Sequence, residues 1–263
     1  MNQEVKIDDD SGVRWIEIDR PESRNGLTPE VCAALMAALG EVATTPALRV
    51  VVLSGAGGSF SSGLDLADAT RRRLLDRPED ITGTLGEYFQ GMIRAVRDVP
   101  VPTIAAVDGA AAGIGCDLAL ACDLRLVSER ARFTEVFARR GLIPDGGATY
   151  LLPRLVGLGR ALELMYTGDI VDASTAHSIG LANHVFDTHE FRDRVWTMAK
   201  KLARGAPIAL RLIKQAVYAG QTGTFAEALA REKAGQGACF ATRDFAEGVA
   251  AFLGKRDPEF KGE

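Results

Sequence analysis

Apolar residues at a period of two, or in uninterrupted runs, predict three strands in the first half of the chain. Val13–Ile18 alternates apolar and polar side chains, which is typical of a strand. Residues 49–53 are apolar from Val50 onward and Thr103–Val107 from Ile104 onward, and such β-branched runs are typical of strands covered on both faces. The pattern therefore predicts a sheet that helices cover.

Helical spacing of apolar residues appears after the first strand and dominates the chain beyond about Val185. Thr28, followed by Pro29 and Glu30, has the composition of a helix start, and the apolar spacing extends this helix to about Val42. Four later stretches have helical spacing with no strand between them: residues 191–202, 208–218, 225–236 and 245–253. We therefore predict an α/β core over residues 1–190 and a helical C-terminal region over residues 191–263.

Composition and charge exclude several classes of protein. A chain of 263 residues is long enough to bury a large core. Its net charge of −4 and pI near 5.6 argue against nucleic-acid binding, which needs clustered Lys and Arg. No apolar run reaches the ~18 residues of a membrane-spanning helix. The four cysteines show no CxxC spacing, so we expect free thiols, no metal site and a cytoplasmic protein.

Several familiar catalytic motifs are absent from the sequence. No glycine-rich turn has the form GxGxxG, GxxxxGK or GxSxG, which argues against dinucleotide binding, a P-loop and a nucleophile elbow. The three histidines, His177, His184 and His189, stand close together in the chain and no nucleophile is paired with them. We interpret them as surface or helix-end residues.

Two glycine-rich segments each follow a predicted strand. The first glycine segment is residues 58–66 (GSFSSGLDL), and the second glycine segment is residues 108–119 (DGAAAGIGCDLA). Unpaired N–H groups at such turns suit the stabilisation of a developing negative charge, because glycine allows close approach. Two such donors would form an oxyanion hole. Glycine content alone is better explained by tight turns between a strand and a helix.

The complete sequences of both segments resemble the sequence motifs of a known family. Residues 60–66 match F-(S/C)-(A/S)-G-x-D-(L/I), and residues 106–123 match A-(V/I)-(N/D)-G-x-x-x-G-(G/A)-G-x-x-L-A-x-x-C-D except at Ile114. Agreement begins at residues 19–21 and ends at residues 247–256. Over nearly its whole length the chain is similar to the crotonase, or enoyl-CoA hydratase/isomerase, superfamily.

This resemblance implies a fold, an assembly and a substrate. The fold would be α/β, a crotonase-like spiral of ββα units with a C-terminal helical trimerisation region, built into a homotrimer or hexamer. The substrate would be an acyl-CoA thioester, and no cofactor is needed beyond the coenzyme A that the substrate carries. The oxyanion donors would be the backbone N–H groups of Leu64 and Ile114, where isoleucine replaces the usual glycine or alanine.

The resemblance also assigns residues to substrate binding. Phe252 and Lys255 match positions that reach coenzyme A, often from a neighbouring subunit, and lysine suits its phosphates. The acyl group would lie against residues 67–89, including Leu74, Leu75, Tyr88 and Phe89. The full set of expected substrate-binding residues is Ser62, Gly63, Asp65, Gly113, Phe137, Phe252 and Lys255.

The carboxylates of the chain point to one reaction among several in the superfamily. Hydratases carry two glutamates, at the positions of Asp117 and Phe137 here, and phenylalanine cannot transfer protons. Asp145 matches the catalytic carboxylate of the double-bond isomerases, which need only one base. A dehalogenase would need histidine at the position of Gln90. We therefore predict a Δ3,Δ2-type enoyl-CoA isomerase.

Alternatives remain open for both aspartates and for the activity. Asp145 also suits the N-cap of a following helix, and Asp117 also suits an exposed helix face. The rival activity is an enoyl-CoA hydratase that uses Asp117. The alternative that is not an enzyme is an acyl-CoA-binding subunit without catalytic activity.

Overall fold

Two β-sheets form the framework of the computed structural model, which describes residues 4–263. Residues 4–263 contain nine strands: β1 (Val5–Asp10), β2 (Val13–Ile18), β3 (Val50–Gly55), β4 (Thr103–Val107), β5 (Ala110–Ala112), β6 (Leu124–Ser128), β7 (Arg132–Thr134), β8 (Val171–Asp172) and β9 (His184–Phe186). The large sheet has the order β1-β2-β3-β4-β6-β9, with β1 antiparallel and the other strands parallel. The small sheet has the order β5-β7-β8.

Helices cover the large sheet on both faces. The helices are α1 (Pro29–Gly40), α2 (Leu66–Arg71), α3 (Pro78–Thr84), α4 (Gln90–Asp98), α5 (Ile114–Ala121), α6 (Ala148–Val156), α7 (Leu158–Thr167), α8 (Ala173–Ser178), α9 (Phe191–Ala203), α10 (Pro207–Gly220), α11 (Phe225–Phe240) and α12 (Arg243–Gly254). A π-helical turn, Leu85–Phe89, precedes α4. The predicted α/β class is confirmed.

Alternation of side chains along the strands divides the interior into two cores. Ile16, Val51 and Ala105 point to a large core that contains α1, α4 and α5. Their neighbours Trp15 and Val52 point to a smaller core against α9. Because successive strand side chains point to opposite faces, a doubly covered strand must be apolar throughout. This is the reason that the runs at residues 49–53 and Thr103–Val107 identified strands.

The predicted start of α1 is confirmed in atomic detail. Thr28 has extended backbone geometry, its Oγ1 accepts a hydrogen bond from the Val31 N–H at 3.3 Å, and Pro29 occupies the first turn. The helix ends at Gly40, two residues before the predicted end at Val42, and a short 3-10 turn continues the chain. Capping by a hydroxyl and a first-turn proline therefore act here as the sequence indicates.

The last three helices form a layer with few buried side chains. Neither α10 nor α11 contains a buried residue, and Phe225 and Phe252 are 80% and 83% exposed. By contrast, α9 buries Phe191, Val195 and Ala199 against the large sheet. Within residues 4–263, no helix is long and apolar enough to cross a bilayer.

The sheet places both glycine segments at one edge. Strands β3 and β4 are parallel neighbours, and each leads at its C-terminal end into a glycine segment. Since the C-terminal ends of parallel strands lie on the same side of a sheet, the two segments leave the sheet side by side.

Candidate active site

Backbone hydrogen bonds hold the two glycine segments against each other. The N–H groups of Phe60 and Ser61 both donate to Ala110 O at 2.9 Å, and the Ala112 N–H donates to Ser61 O at 3.0 Å. A Cβ atom on Gly63, whose φ is +85°, would lie 2.5 Å from Ala112 O and 3.5 Å from Ile114 N. Only glycine allows the first segment to approach the second this closely.

Two unpaired N–H groups lie at this contact. The Leu27 N–H donates to Gly63 O and the Asp65 N–H donates to Leu27 O, which leaves the N–H of Leu64 between them without a partner. Ile114 is the first residue of α5, and a first-turn N–H has no acceptor within its own helix. In the described part of the chain, no hydrogen bond has either group as donor. The donors proposed from the sequence thus lie beside each other and are both available.

The neighbouring polar side chains of the first glycine segment are engaged in shaping it. Ser62 Oγ donates to Ser23 O at 3.0 Å. Asp65 accepts from the Asp68 N–H at 2.9 Å, caps α2 and pairs with Arg20 at 3.0 Å. These two predicted substrate-binding residues therefore hold the loop through their side chains.

Asp117 lies inside the protein and organises the turn that carries Asp145. It is fully buried, so the interpretation as an exposed helix face is wrong. Its Oδ2 accepts from the Gly146 N–H and its Oδ1 from the Ala148 N–H, both at 3.0 Å. Burial and the charges of Glu135 and Asp145 raise the pKa of Asp117, against the effect of the two N–H groups. Asp117 therefore caps the start of α6.

Asp145 lies on that turn, and no hydrogen bond joins its carboxyl to another residue in the described part of the chain. The cap interpretation of Asp145 is wrong, because the residue at the N-cap position of α6 is Gly147. The side chain that binds the first N–H group of α6 is that of Asp117. One oxygen, Oδ1, is buried without a hydrogen-bond partner. Burial raises the pKa of Asp145 to about 6. A half-buried carboxyl with this pKa is suited to accept and return a proton near neutral pH.

A second anchor for the turn comes from α4. Gln90 Nε2 donates a hydrogen bond to the backbone oxygen of Asp145 at 2.9 Å. Sequence reasoning considered Gln90 only as a missing histidine, and no local pattern indicates a contact across 55 residues. The backbone of Asp145 is thus fixed by Gln90 at its carbonyl and by Asp117 at the following N–H groups.

Apolar side chains surround the polar groups. Phe137 is buried, and its ring lies 3.7 Å from the position that a Cβ on Gly113 would occupy. The Ile114 side chain is also buried and reaches the Gly146 backbone, where an added Cβ would meet Ile114 Cδ1 at 2.7 Å. These contacts place apolar side chains beside the second glycine segment and beside the turn that carries Asp145.

Glu135 is an acidic residue of this region that the sequence reasoning missed. It is 2% exposed, no N–H or O–H group donates to either of its oxygens, and the Cys116 thiol beside it is at most a weak donor. Burial raises the pKa of Glu135 to about 7, and the charge of Asp145 contributes. The available signal was the period of two along β7, which puts Glu135 on the same side as the buried Phe133. We call Asp117, Glu135 and Asp145 the acidic cluster.

The other predicted residues lie elsewhere. Phe252 lines an open apolar groove of about 430 Å³ between α10, α11, α12 and the tail, and no residue of either glycine segment lines it. Lys255 ends α12 in a left-handed conformation and is exposed. Within one subunit, nothing brings these two residues to Asp145, and their contact with coenzyme A stays a prediction.

The segment expected to cover the acyl group is divided between core and surface. Phe89 is buried in the large core, so it packs the interior instead of lining an open pocket. Leu75 is half exposed on the turn between α2 and α3. All three histidines, His177, His184 and His189, are exposed as expected.

Comparison with known proteins identifies the family of the chain. A family model described as enoyl-CoA hydratase/isomerase matches residues 8–263. The chain is 35% identical to 1,2-epoxyphenylacetyl-CoA isomerase of Escherichia coli (strain K12) over 254 residues, 97% of each protein. It is 37% identical to a probable enoyl-CoA hydratase of Rhodobacter capsulatus over 262 residues, 98% of each.

Solved structures give the same answer for the fold. The crystal structure of an enoyl-CoA hydratase from Bacillus anthracis has a TM-score of 0.95 and 33% identity, and covers 99% of this chain and 100% of that one. A putative enoyl-CoA hydratase/isomerase from Mycobacterium abscessus has a TM-score of 0.94 at 35% identity, covering 98% of this chain and 100% of that one. The chain therefore has the crotonase fold and belongs to the enoyl-CoA hydratase/isomerase superfamily of enzymes.

Proposed function

We propose that this enzyme is a Δ3,Δ2-type enoyl-CoA isomerase in which Asp145 is the acid and base. The observation that carries the proposal is the division between the two aspartates. Asp145 has a carboxyl that caps nothing and a pKa of about 6, whereas both oxygens of Asp117 accept backbone N–H groups. Residue 137, where a hydratase has its second glutamate, is phenylalanine.

The proton transfer needs only one base. Ionised Asp145 removes a proton from C2 of a 3-enoyl thioester, and the electron pair of the broken C–H bond spreads into a dienolate. The protonated Asp145 then returns the proton to C4, which leaves the double bond between C2 and C3. Atoms and charge balance, since the same proton is taken and given back. No cofactor takes part in this scheme.

The two free N–H groups supply the electrostatic part of the reaction. Negative charge develops on the thioester oxygen as the C2 proton leaves, and the N–H groups of Leu64 and Ile114 are placed to receive that oxygen. Fixed donors of this kind cost no reorganisation when the charge appears. The apolar side chains of Phe137 and Ile114 strengthen these hydrogen bonds by excluding water.

The first experiment compares two substrates in two proteins. Purified wild type and Asp145→Ala are incubated with 3-enoyl-CoA and with 2-enoyl-CoA, and the absorbance of the conjugated thioester is followed. We expect wild type to convert the 3-enoyl substrate and Asp145→Ala to lose at least about 100-fold in kcat/KM. Unchanged activity of Asp145→Ala would refute the role of Asp145. A panel of fatty and aromatic acyl groups then identifies the substrate, since the Escherichia coli relative is named for an aromatic one.

Enoyl-CoA hydratase is the second candidate activity. The relative from Rhodobacter capsulatus and the structure from Bacillus anthracis both carry that name. In this chain the water would have to be activated by Asp117, whose oxygens are already engaged. If the wild type removes the conjugated absorbance of 2-enoyl-CoA and Asp117→Asn leaves that absorbance unchanged, the hydratase is supported over the isomerase.

The assembly and the compartment belong to the same proposal. The exposed apolar side chains of α10, α11 and α12 form a surface that another copy of the chain would bury, and we propose a homotrimer or a hexamer made from two trimers. Cys32, Cys116, Cys122 and Cys239 are free thiols, and this fits a reducing compartment such as the cytoplasm.

A further inference from the structure

Glu135 occupies a buried position beside the oxyanion donors. It directly follows β7, whose last residue Thr134 accepts a hydrogen bond from the Gly113 N–H at 2.9 Å. Gly113 in turn precedes the donor Ile114. The side chain of Glu135 is 2% exposed, and no N–H or O–H group donates to either of its oxygens. A carboxyl with no structural bond so close to the reacting groups requires an explanation.

The groups that face Glu135 carry no positive charge. On α5 these are the Cys116 thiol and the Asp117 carboxyl, and on the turn before α6 it is the Asp145 carboxyl. Burial and the charge of Glu135 raise the pKa of Cys116, which stays a neutral thiol and is at most a weak donor to Glu135. Two or three ionised carboxyls without a cation in a dry site are strongly unfavourable.

We next consider which positive charge could be the partner of Glu135. Within residues 4–263, no group of three or more His, Cys, Asp and Glu side chains has a geometry that would hold a metal ion. A proton is the remaining charge that relieves the repulsion, and carboxyls that compete for one proton titrate as a group.

We propose that Glu135 is a positioning residue that retains a proton together with Asp117, so that the acidic cluster leaves Asp145 as the base. The proposal rests on the isomerase function given above. The consequence is electrostatic: while the proton is held, the negative charge that develops at the N–H groups of Leu64 and Ile114 meets no additional anion. When the proton is lost, Glu135 repels the dienolate and the reaction slows.

The first test is the pH dependence of kcat/KM with 3-enoyl-CoA, from about pH 5 to about pH 9. The wild-type rate should rise through about pH 6 as Asp145 ionises. It should fall again above about pH 7 as Glu135 loses its proton. Glu135→Gln cannot ionise, so it should keep the rise and lose the fall, and exceed the wild type about tenfold at about pH 8.

The matched control is Glu129→Gln, the same chemical change on an exposed residue six positions earlier. Its profile should follow the wild type. If Glu135→Gln keeps the alkaline fall, or loses activity equally at every pH, Glu135 has only a structural role and the proposal is wrong.

A second measurement does not depend on activity. The carboxyl signals of glutamate labelled with carbon-13 are followed by NMR during a pH titration of the wild type. One glutamate should titrate near pH 7, and that signal should be absent from Glu135→Gln. If no glutamate in the wild type titrates above about pH 6, the proposal is refuted even if Glu135→Gln does not fold. If the wild type fails to convert 3-enoyl-CoA, only the proposed isomerase function is refuted. The NMR titration would still show whether Glu135 holds a proton.

Discussion

Asp117 and Asp145 are the same amino acid in different surroundings, and these surroundings are the reason that we propose different roles for them. Asp117 is fully buried and accepts two backbone N–H groups, whereas Asp145 is half-buried and caps nothing. The sequence identified both residues as candidates. It could not distinguish them, because the distinguishing contacts join residues 29 and 31 positions apart in the chain.

Asp117→Asn tests whether the Asp117 carboxyl holds the turn before α6 in place. An amide keeps one acceptor oxygen but presents an NH2 group to the second backbone N–H, which then has no acceptor. We expect the free energy of unfolding to fall by about 1–3 kcal/mol and kcat/KM to fall as the turn loosens. Urea denaturation measures the first and the 3-enoyl-CoA assay the second. Asp257→Asn, an exposed aspartate, is the control, and equal stability of the two variants would contradict the expectation.

Gly63→Ala tests the contact between the glycine segments. The added Cβ would lie 2.5 Å from Ala112 O at a φ of +85°, so the segments must separate and carry the Leu64 N–H away from Ile114. We expect kcat/KM to fall by about 100-fold or more, the usual effect of losing an oxyanion donor. Gly40→Ala is the control, because a Cβ there meets nothing within 4 Å. A small effect of Gly63→Ala on kcat/KM would show that the donors tolerate displacement.

At the scale of elements, sequence patterns succeeded where burial follows a simple period. Val13–Ile18 and Thr103–Val107 are strands with the predicted bounds, because the apolar side chains of both segments are buried in the two cores. The strand β1 was missed because five of its six residues are exposed, and only Val5 and Ile7 in its sequence are apolar. Glu135 was missed for a related reason. It directly follows a strand of only three residues, and so short a strand gives a weak apolar pattern from which to predict its burial.

Thr224→Ala tests how far a helix without a buried face depends on its cap. Thr224 and Glu227 form a reciprocal capping box at the start of α11, which buries no residue within the subunit. We expect the variant to lose about 1 kcal/mol of unfolding free energy and to keep its kcat/KM, because the cap is far in the chain from both glycine segments. Thr222→Ala, two residues earlier and exposed, provides the control in the same urea series. Equal loss in both variants would argue against the cap.

At the scale of the whole molecule, the apolar pattern predicted a layer of C-terminal helices, whereas the trimer expected to cover it came only from the family resemblance. Ile213 and Val217 are both 58% exposed and lie one helical turn apart on α10. A single subunit offers nothing to bury them, and large apolar patches on a soluble surface usually mark an interface. Which surface completes a protein is decided by a second molecule, so one chain's pattern cannot specify it.

Replacing Ile213 and Val217 by glutamate tests the proposed trimer. Ile213→Glu with Val217→Glu would place two charges in the interface, and we expect the mass from light scattering to fall from three or six subunits to one. Gln215→Glu adds a charge on the opposite side of the same helix and should leave the mass unchanged. A wild type that is already monomeric would refute the assembly.

The turn before α6 has a further consequence for how this fold changes its chemistry. Its shape depends on Asp117 and on Gln90, which bind backbone atoms of residues 145, 146 and 148. The side chain at position 145 makes no bond that the turn requires. Evolution, or a protein engineer, can therefore exchange that one side chain while the scaffold stays folded. Under the proposed function, a change of this one side chain would therefore change the reaction while the architecture of the turn stays the same.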